Sequence, residues 1–468
     1  MDILSNFKKA PEVRPMLNIG CLLDIPTGSY LKGKHGESIL NGGLSYLTGI
    51  GGRGNTYKST IGHFMVLRIL DRYSKTQGLI YDTENSLTYQ RIDHLASSYP
   101  TFKETNVTDS GRMGILDKDT IVGDQWFADW KDVISKRKKE KDDATTPFIS
   151  RDGVNIKTKK PFICELDSFS QMDIQVVDEM LDRGNIGSSK LNTEALKTAS
   201  AKSQMLVQLP GLTGITSGSY LIMTAHVGDE HQLDPYAPPA KKLAFLKGKV
   251  KFKRVPENFT FLTNNLWYST QSNVMINQST KAPEFPRNKK DDLKGDTDLM
   301  LVSLINVRAK SGPTGLPVEI IVSQSDGVHV GLTEFYYIKT HNRYGLGGND
   351  RSYYLELVPD VNLQRTTIRG TIDNDIKIQR ALEITSEMAQ MQNMWHHLPE
   401  DFIVDPATLY EGLKSKGYDW DILLSQTRGY WVFEEEEKKN TKYFLSTMDL
   451  LNMYHGTYVP YWYKKATK

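Results

Sequence analysis

The sequence predicts an α/β fold built on a mostly parallel sheet, and two features of the chain support this prediction. Apolar runs typical of buried strands alternate with stretches in which apolar residues recur at helical spacing. Several of the runs end in a polar residue, such as Glu84, Asp167 or His226. Because ligand sites of parallel α/β sheets lie at the carboxyl ends of the strands, we expect these residues to converge at one edge. The predicted strands cover residues 44–50, 78–84, 162–168, 219–226, 266–270, 299–305 and 317–322.

Chain length and composition indicate a globular protein of more than one domain. The 468 residues are enough for two or three domains. A hydrophobic fraction of 39% with 24% charged residues is ordinary for a folded protein. We divide the chain into an N-terminal arm and lead-in (1–40), an α/β core (41–360) and a small C-terminal α+β domain (361–468).

The predicted C-terminal domain combines helices with one short strand pair. The strands are expected at residues 430–433 and 442–444, and the acidic run Glu434–Glu437 between them is expected to be a hairpin tip that faces water. The helices predicted around this pair cover residues 374–391, 407–416 and 445–455.

Charge and hydropathy narrow the class of protein. The formal net charge of +2 means that any contact with nucleic acid must come from local basic patches. No apolar stretch approaches the roughly 18 residues of a membrane span, and the N-terminus lacks the apolar region of a signal peptide. We therefore expect a cytoplasmic protein. Cys164 lies in an apolar run and is expected to be a buried thiol rather than part of a disulfide or metal site.

A glycine-rich stretch at residues 49–60, GIGGRGNTYKST, lies between a predicted strand and a predicted helix. This layout is typical of a phosphate-binding loop, whose backbone N–H groups surround phosphate while a lysine and a hydroxyl reach the phosphates and Mg²⁺. Tyr57 stands where the motif has its last glycine, and a glycine-rich surface turn is the alternative reading. The expected nucleotide contacts are Gly52, Arg53, Gly54, Asn55, Thr56, Tyr57, Lys58, Ser59 and Thr60.

Five further residues offer the four groups that a nucleotide hydrolase needs near such a loop. Asp167 follows a strand as a metal-side acid would, Glu84 could orient the attacking water, and His226 could sense the terminal phosphate. Arg308 and Lys310, two residues apart after a strand, point to the same side and could neutralise developing charge. Each taken alone also fits a simpler role as a solvated strand end, a helix cap or an exposed pair; their joint order favours the hydrolase.

The order of these motifs resembles that of RecA-type ATPases, and most closely the phage recombinases of the UvsX type. The segment 81–84 (YDTE) resembles the strand with the catalytic glutamate, 166–168 (LDS) the Walker B strand, and 224–226 (TAH) the Gln or His switch. Residues 307–310 (VRAK) resemble the basic motif that reaches the ATP of the neighbouring subunit, and an aromatic before the loop lysine, here Tyr57, also occurs in the phage branch. The resemblance covers about residues 17–340. The insertion at about 136–160 and the lead-in at 28–42 depart from it.

The resemblance implies a role for each of these residues. Lys58 and Ser59 would hold phosphate and Mg²⁺, with Asp167 behind the metal, while Glu84 orients water and His226 reports on the γ-phosphate. Arg308 and Lys310 would reach the adjacent subunit's site. We also place Tyr89 and Arg91 among the expected ATP contacts.

A basic segment beyond His226 is the predicted contact with DNA. Seven basic residues interleave there with Phe245 and Phe252, which suits phosphate neutralisation and base stacking on a single strand. By resemblance this is the second DNA-binding loop, and the break at 183–191 is the first. A solvated loop is the alternative. Its closeness to His226 is a hypothetical route for coupling ATP to DNA. The expected DNA contacts are Arg183, Lys190, Lys241, Lys242, Lys247, Lys249, Lys251, Lys253 and Arg254.

The sequence therefore predicts a DNA-dependent ATPase that forms recombinase filaments on single-stranded DNA for recombination, repair and recombination-dependent replication. If it is phage-encoded, it would act in the bacterial host cytoplasm. The expected partners are single-stranded DNA, further copies of the chain, and mediator and single-strand-binding proteins. A hexameric replicative helicase on the same core is the first alternative, and a nucleotide-locked regulatory assembly is the second.

Overall fold

The computed structural model describes residues 10–119, 121–183, 189–229, 245–246, 250–287, 298–394 and 398–463 of the chain. Its strands are β1 (Ser29–Lys32), β2 (Ser38–Asn41), β3 (Leu47–Gly52), β4 (Gln77–Asp82), β5 (Met113–Asp117), β6 (Asp143–Ile149), β7 (Asn155–Lys159), β8 (Phe162–Asp167), β9 (Ser219–Asp229), β10 (Val250–Phe252), β11 (Asn265–Val274), β12 (Leu299–Ala309), β13 (Pro317–Ser323), β14 (Gly327–Val328), β15 (Leu346–Asn349), β16 (Ser352–Leu355), β17 (Val358–Gln364), β18 (Thr427–Arg428) and β19 (Tyr443–Phe444).

The α-helices are α1 (Lys58–Arg72), α2 (Tyr89–Ala96), α3 (Gly123–Lys139), α4 (Gln175–Asp182), α5 (Ser189–Leu212), α6 (Phe259–Leu262), α7 (Val330–Thr340), α8 (Ile368–Asn374), α9 (Ile376–Met394), α10 (Pro406–Ser415), α11 (Trp420–Ser425), α12 (Glu434–Glu437) and α13 (Thr447–Tyr454). Short 3₁₀ turns lie at Ile25–Thr27 and Pro100–Phe102. None of the described helices is both long and apolar enough to cross a membrane.

One large sheet organises the molecule. Its strands lie in the order β14-β13-β12-β11-β3-β9-β8-β4-β5, and β10 pairs with the end of β9. The run from β11 to β5 is parallel throughout, whereas β10, β12, β13 and β14 are antiparallel. The predicted fold class, an α/β core with a mostly parallel sheet, is confirmed, and each predicted strand of the core lies in this sheet.

Apolar residues alternate between the two faces of the sheet, so both faces are covered. Ile80 packs on the face that is covered by α1, and its neighbour Tyr81 packs on the opposite face with Trp126 and Trp130 of α3. Helix α5 covers the same second face through side chains such as Leu206. Cys164 is fully buried there as a free thiol, as predicted.

The sheet's register brings the predicted site residues to one edge. Gly52 at the end of β3 pairs with His226 of β9, and Asp82 at the end of β4 pairs with Asp167 at the end of β8. Because these strands are parallel, their carboxyl ends and the loops that follow them lie side by side. The edge predicted to carry the chemistry is therefore the edge at which these residues converge.

The lead-in and the insertion both pack against the C-terminal part of the chain. The amide of Ser38 in β2 donates to Asp449 at 2.7 Å, and the indole of Trp431 donates to the carbonyl of Met16 at 3.2 Å. The insertion forms the β6–β7 hairpin, and its Phe148 meets the ring of Trp431 at 5.2 Å.

Two predictions for the C-terminal part are wrong. Residues 430–433 are not a strand. Instead, β19 pairs in parallel with β18, which comes earlier in the chain. The acidic run Glu434–Glu437 is one helical turn rather than a hairpin tip. Glu436 within it is buried and accepts hydrogen bonds from the hydroxyl of Ser74 and the amide of Lys75 at the end of α1. The predicted helices near 374–391, 407–416 and 445–455 are confirmed as α9, α10 and α13.

Candidate active site at the carboxyl edge of the sheet

The glycine-rich stretch forms a strand–loop–helix unit between β3 and α1. Tyr57, the residue before α1, has φ 57° and ψ 23°, and Asn55 has φ 60°. Tyr57 thus adopts the left-handed backbone that the motif's glycine would supply without strain. Gly52 is needed for a different reason, since a Cβ atom there would lie 2.4 Å from the hydroxyl of Thr56.

The loop presents unpaired backbone donors. Ser269 and Ser272 of β11 donate to the carbonyls of Thr56 and Asn55, at 2.8 and 2.9 Å, which fixes the outer side of the loop. Within the described part of the chain, no group accepts from the backbone N–H groups of residues 54–57. These donors and the start of a 15-residue helix suit an anion such as a phosphate. Lys58 is buried at that helix start.

Arg53 in the loop forms an ion pair with Asp229 at the end of β9. The distance between Nη2 of Arg53 and Oδ1 of Asp229 is 2.5 Å, and both side chains are exposed. Arg53, an expected phosphate contact, therefore meets the end of β9 just beyond His226 in this structure.

Asp82 fixes the turn that carries Glu84. Its carboxylate accepts from the amides of Glu84, Ser86 and Leu87 at 2.8, 2.6 and 2.7 Å. These bonds fold the chain back immediately after β4 and turn the Glu84 side chain towards β8 and β9. Asp82 has no role among the residues predicted from the sequence. An aspartate at a strand end that precedes polar turn residues was the available signal.

Asp167 is held between two threonines. The hydroxyl of Thr224 on β9 donates to its carboxylate, and the amide of Thr83 donates to its carbonyl at 2.7 Å. Asp167 is buried and ends β8 as predicted. Thr224 was not recognised from the sequence as a partner for Asp167, because only the parallel pairing of β8 with β9 brings them together.

His226 and Glu84 are in direct contact. Nε2 of His226 lies 2.9 Å from Oε1 of Glu84, and the hydroxyl of Ser168 donates to the same oxygen at 3.3 Å. The hydrogen bond from His226 lowers the pKa of Glu84, and Lys58 adds a smaller attraction. The Glu84 carboxyl is therefore held as a carboxylate. The sequence predicted that His226 ends its strand. This is wrong, because β9 continues to Asp229 with β10 as its partner.

His63 of α1 forms a buried ion pair with Glu165 of β8, which holds the helix against the sheet. Nδ1 of His63 lies 2.9 Å from Oε2 of Glu165, and both residues are buried. Burial works against the protonated form of His63, but Glu165 raises its pKa to about 9. One ligand atom each from His63, Glu165 and Asp167 lies within 4.8 Å of the others. We treat the pair as a support for α1, although burial raises the pKa of Glu165 to about 7 and its Oε1 has no partner among the described groups.

Arg308 and Lys310 do not join this edge within the chain. Arg308 pairs with Leu266 of β11, which is level with Gly49 of β3, so both basic residues lie towards the amino ends of the parallel strands. Nε of Arg308 donates to the carbonyl of Thr263 at 3.2 Å, and Nζ of Lys310 lies 3.5 Å from that of Leu262. Both side chains therefore cover carbonyls at the end of α6.

The basic segment returns to the site through β10. Lys251 pairs with Gly228, and Lys251, Lys253 and Arg254 are all exposed. Phe252 does not face outwards as a base-stacking residue would. A Cβ atom on Gly51 would lie 2.3 Å from its ring, and it meets Phe259 at 5.2 Å. Phe252 thus packs against the strand that leads into the glycine-rich loop.

The other expected DNA and nucleotide contacts are less completely placed. Lys241, Lys242, Lys247 and Lys249 lie outside the described residues, as does the side chain of Lys190. Arg183 is exposed, 3.8 Å from Glu179.

Tyr89 and Arg91, the expected nucleotide contacts on α2, point to other parts of the chain. The hydroxyl of Tyr89 donates to Ile115 at 3.4 Å. The guanidinium of Arg91 donates to the carbonyls of Gln324 and Ser325.

Comparison with known proteins adds little to this geometry. No protein-family model matches the chain, and no curated protein matches it. The chain is similar to the crystal structure of the RadB recombinase, at 15% sequence identity and a TM-score of 0.32, over 61% of this chain and 92% of that one. A likeness of this size carries no conclusion about function, so the residues at the carboxyl edge must carry it.

Proposed function

We propose that the chain is a RecA-type ATPase that assembles head to tail on single-stranded DNA as a recombinase filament of the UvsX kind. The observation that carries this proposal is the convergence of the glycine-rich loop, Asp167, and the Glu84–His226 contact at one edge of a parallel sheet. Parallel α/β sheets bind ligands at this edge.

The residues at the loop fit ATP with Mg²⁺. The unpaired N–H groups of residues 54–57 and the ammonium of Lys58 would hold phosphate oxygens, and Ser59 with Asp167 would hold the metal. Bound Mg²⁺ would supply charge neutralisation on the phosphates. A buried carboxylate such as Asp167, with only a threonine hydroxyl donating to its side chain among the described groups, retains lone pairs for a metal-bound water.

Glu84 would orient and partly deprotonate the attacking water. Its lowered pKa keeps it in the carboxylate form that this role needs. When His226 turns to the terminal phosphate, it would release Glu84. The contact between His226 and Glu84 would then be the resting state of the sensor. The turn built on Asp82 would fix the distance between Glu84 and the loop.

Arg308 and Lys310 would act on the site of an adjacent subunit. Their place towards the amino ends of the parallel strands, away from this edge, supports action across an interface rather than within the chain. Hydrolysis would then depend on assembly. The exposed cations of Lys251, Lys253 and Arg254 would face DNA, together with Arg183 and the basic residues at 190 and 241–249.

We also propose that the chain is divided into a lead-in (1–40), a core (41–360) and a C-terminal domain (361–468). The core would carry ATP and DNA.

Electron microscopy of the protein with single-stranded DNA and a slowly hydrolysed ATP analogue tests the proposed function. Open helical filaments are the expected result. Closed rings would favour a hexameric helicase on the same core. Particles that assemble with the nucleotide alone and ignore DNA would point to a regulatory assembly, and either outcome would overturn the recombinase.

A further inference from the structure

Lys202 lies in the middle of α5 and is almost completely buried, with 2% of its surface exposed. Its ammonium donates to three backbone carbonyls: Phe169 at 2.9 Å, Ser170 at 3.3 Å and Arg254 at 3.2 Å. A lysine ammonium has three hydrogens, so its donors are fully used. Lysine is rarely buried to this extent unless it is paired.

The three carbonyls belong to two segments that the proposed function uses. Phe169 and Ser170 follow β8 and its Asp167, whereas Arg254 is two residues beyond β10, in the exposed basic segment. Arg254 has φ 52°, a left-handed backbone that is unfavourable for a long side chain. The bond from Lys202 is a contact that holds this carbonyl in place.

Ser170 extends the same junction to the proposed sensor. Its hydroxyl accepts from the amide of His226 at 2.8 Å and donates to the carbonyl of Lys253 at 2.9 Å. The amide of Lys253 donates in turn to the carbonyl of His226 at 2.8 Å. Lys202, Ser170, His226 and the 253–254 backbone therefore form one continuous hydrogen-bonded unit.

Two charged side chains among the described residues act on Lys202. Asp173 favours its ammonium form and Arg254 opposes it, while the ring of Phe169 lies 5.4 Å from Nζ. Burial is the largest influence and lowers the pKa of Lys202 to about 8. A methionine would fill the same space without this cost, which indicates that the hydrogen bonds, rather than packing, explain a lysine here.

We propose that Lys202 is a positioning residue that links the basic segment at 250–254 to the backbone of His226, so that DNA bound to the segment alters ATP turnover. This inference rests on the proposed function and adds to it the residue through which the two sites communicate. Without Lys202, the basic segment would still carry its charges, but its backbone could move independently of the end of β8.

Lys202→Met and Lys202→Arg test the link, with Lys131→Met as the matched control. Lys131 also donates to α5, to Gln208 at 2.9 Å, but from the exposed surface. ATP hydrolysis is measured with and without single-stranded DNA, and ATP affinity separately. We expect Lys202→Met to lower the stimulation by DNA about fivefold, a coupling effect of ordinary size, while hydrolysis without DNA and ATP affinity change little. Lys202→Arg should recover part of the stimulation, and Lys131→Met should behave as wild type.

Stimulation that is unchanged in Lys202→Met would overturn the inference, and so would an equal fall with and without DNA, which would mark a purely structural residue. If wild type shows no ATP hydrolysis at all, the proposed function fails instead. Should Lys202→Met not fold, as judged by its thermal transition, Ser170→Ala interrupts the same unit between His226 and Lys253. It is expected to show the same selective loss, and normal stimulation in that variant would overturn the inference.

Discussion

Nε2 of His226 lies 2.9 Å from Oε1 of Glu84, although the two residues are 142 positions apart in the chain. The contact joins the turn after β4 to β9, across the intervening strand β8. It gives the Glu84 carboxylate a defined orientation and a lowered pKa. The proposed reaction depends on both properties.

Glu84→Gln should therefore abolish most turnover without loss of nucleotide binding. The amide keeps the size of the side chain and can still meet His226, but it cannot accept a proton from water. A positioned base contributes about 10²- to 10⁴-fold, so we expect a fall in kcat of that order. The rate of phosphate release gives kcat, and a fluorescent ATP analogue gives affinity. Wild-type kcat in this variant would exclude Glu84 as the base.

The left-handed backbone of Tyr57 predicts that glycine is a more stable replacement than alanine at this position. Glycine adopts the left-handed backbone of residue 57 without strain, whereas alanine keeps a Cβ atom there. We expect Tyr57→Gly to have a free energy of unfolding about 1 kcal/mol higher than Tyr57→Ala. Urea unfolding of both variants measures the difference. An alanine variant that is as stable as the glycine variant, or more stable, would contradict the left-handed backbone at this residue.

The exposed part of the basic segment predicts a change in salt dependence. Replacing Lys251, Lys253 and Arg254 by glutamine should weaken binding to single-stranded DNA. If each contacts one phosphate, the slope of log affinity against log salt should fall by about 0.7 per charge. Titrations of labelled oligonucleotide at several salt concentrations give the slope. The control is a glutamine triple variant at three exposed lysines of α3, Lys136, Lys138 and Lys139, which should keep the wild-type slope. Equal slopes in the two variants would show that this segment does not contact DNA.

Asp298 predicts a pH-dependent contribution to stability. Arg369 of α8 contacts both of its oxygens at 3.1 Å. Burial alone would raise the pKa of Asp298, but Arg369 and Arg287 lower it to about 2 from 3.8. Because the folded-state pKa is depressed, the stabilisation is present above about pH 4 and is lost as the pH falls towards 2.

Asp298→Asn should accordingly lower the free energy of unfolding by about 1–2 kcal/mol at neutral pH, after allowance for partial exposure, and by less in acid. Urea unfolding of wild type and variant, at neutral pH and again at acid pH, measures the difference. Asp132→Asn, which removes one partner of an exposed pair with Lys136, is the control and should change little at either pH. A loss that is equal at both pH values would rule out the ion pair as its cause.

The central sheet was predictable from sequence because its strands are buried on both faces and read as apolar runs. The residues that end them, such as Asp167, could be placed at one edge from this pattern alone. Tyr57 illustrates the limit. Tyr57 stands where the motif has a glycine, so the sequence alone left the motif in doubt. Only the backbone angles show that Tyr57 adopts the glycine-like conformation.

Other features depend on long-range contacts that carry no local signal. Thr224 meets Asp167 only through strand pairing, and Lys202 reads as an ordinary helix lysine until its three carbonyls are seen. Phe252 was expected to stack on bases, but tertiary packing against Gly51 buries part of its ring. The run Glu434–Glu437 was expected to face water because it is charged, yet Glu436 binds the end of α1.

The most direct test of the account is ATP hydrolysis by wild type and Lys58→Ala in the presence of single-stranded DNA. Wild type should hydrolyse ATP, and loss of the loop ammonium should lower turnover by about a hundredfold or more. Lys103→Ala, at an exposed lysine far along the chain from the loop, should retain the wild-type rate. Turnover that survives in Lys58→Ala at the wild-type rate would contradict the assignment of the glycine-rich loop as the nucleotide site.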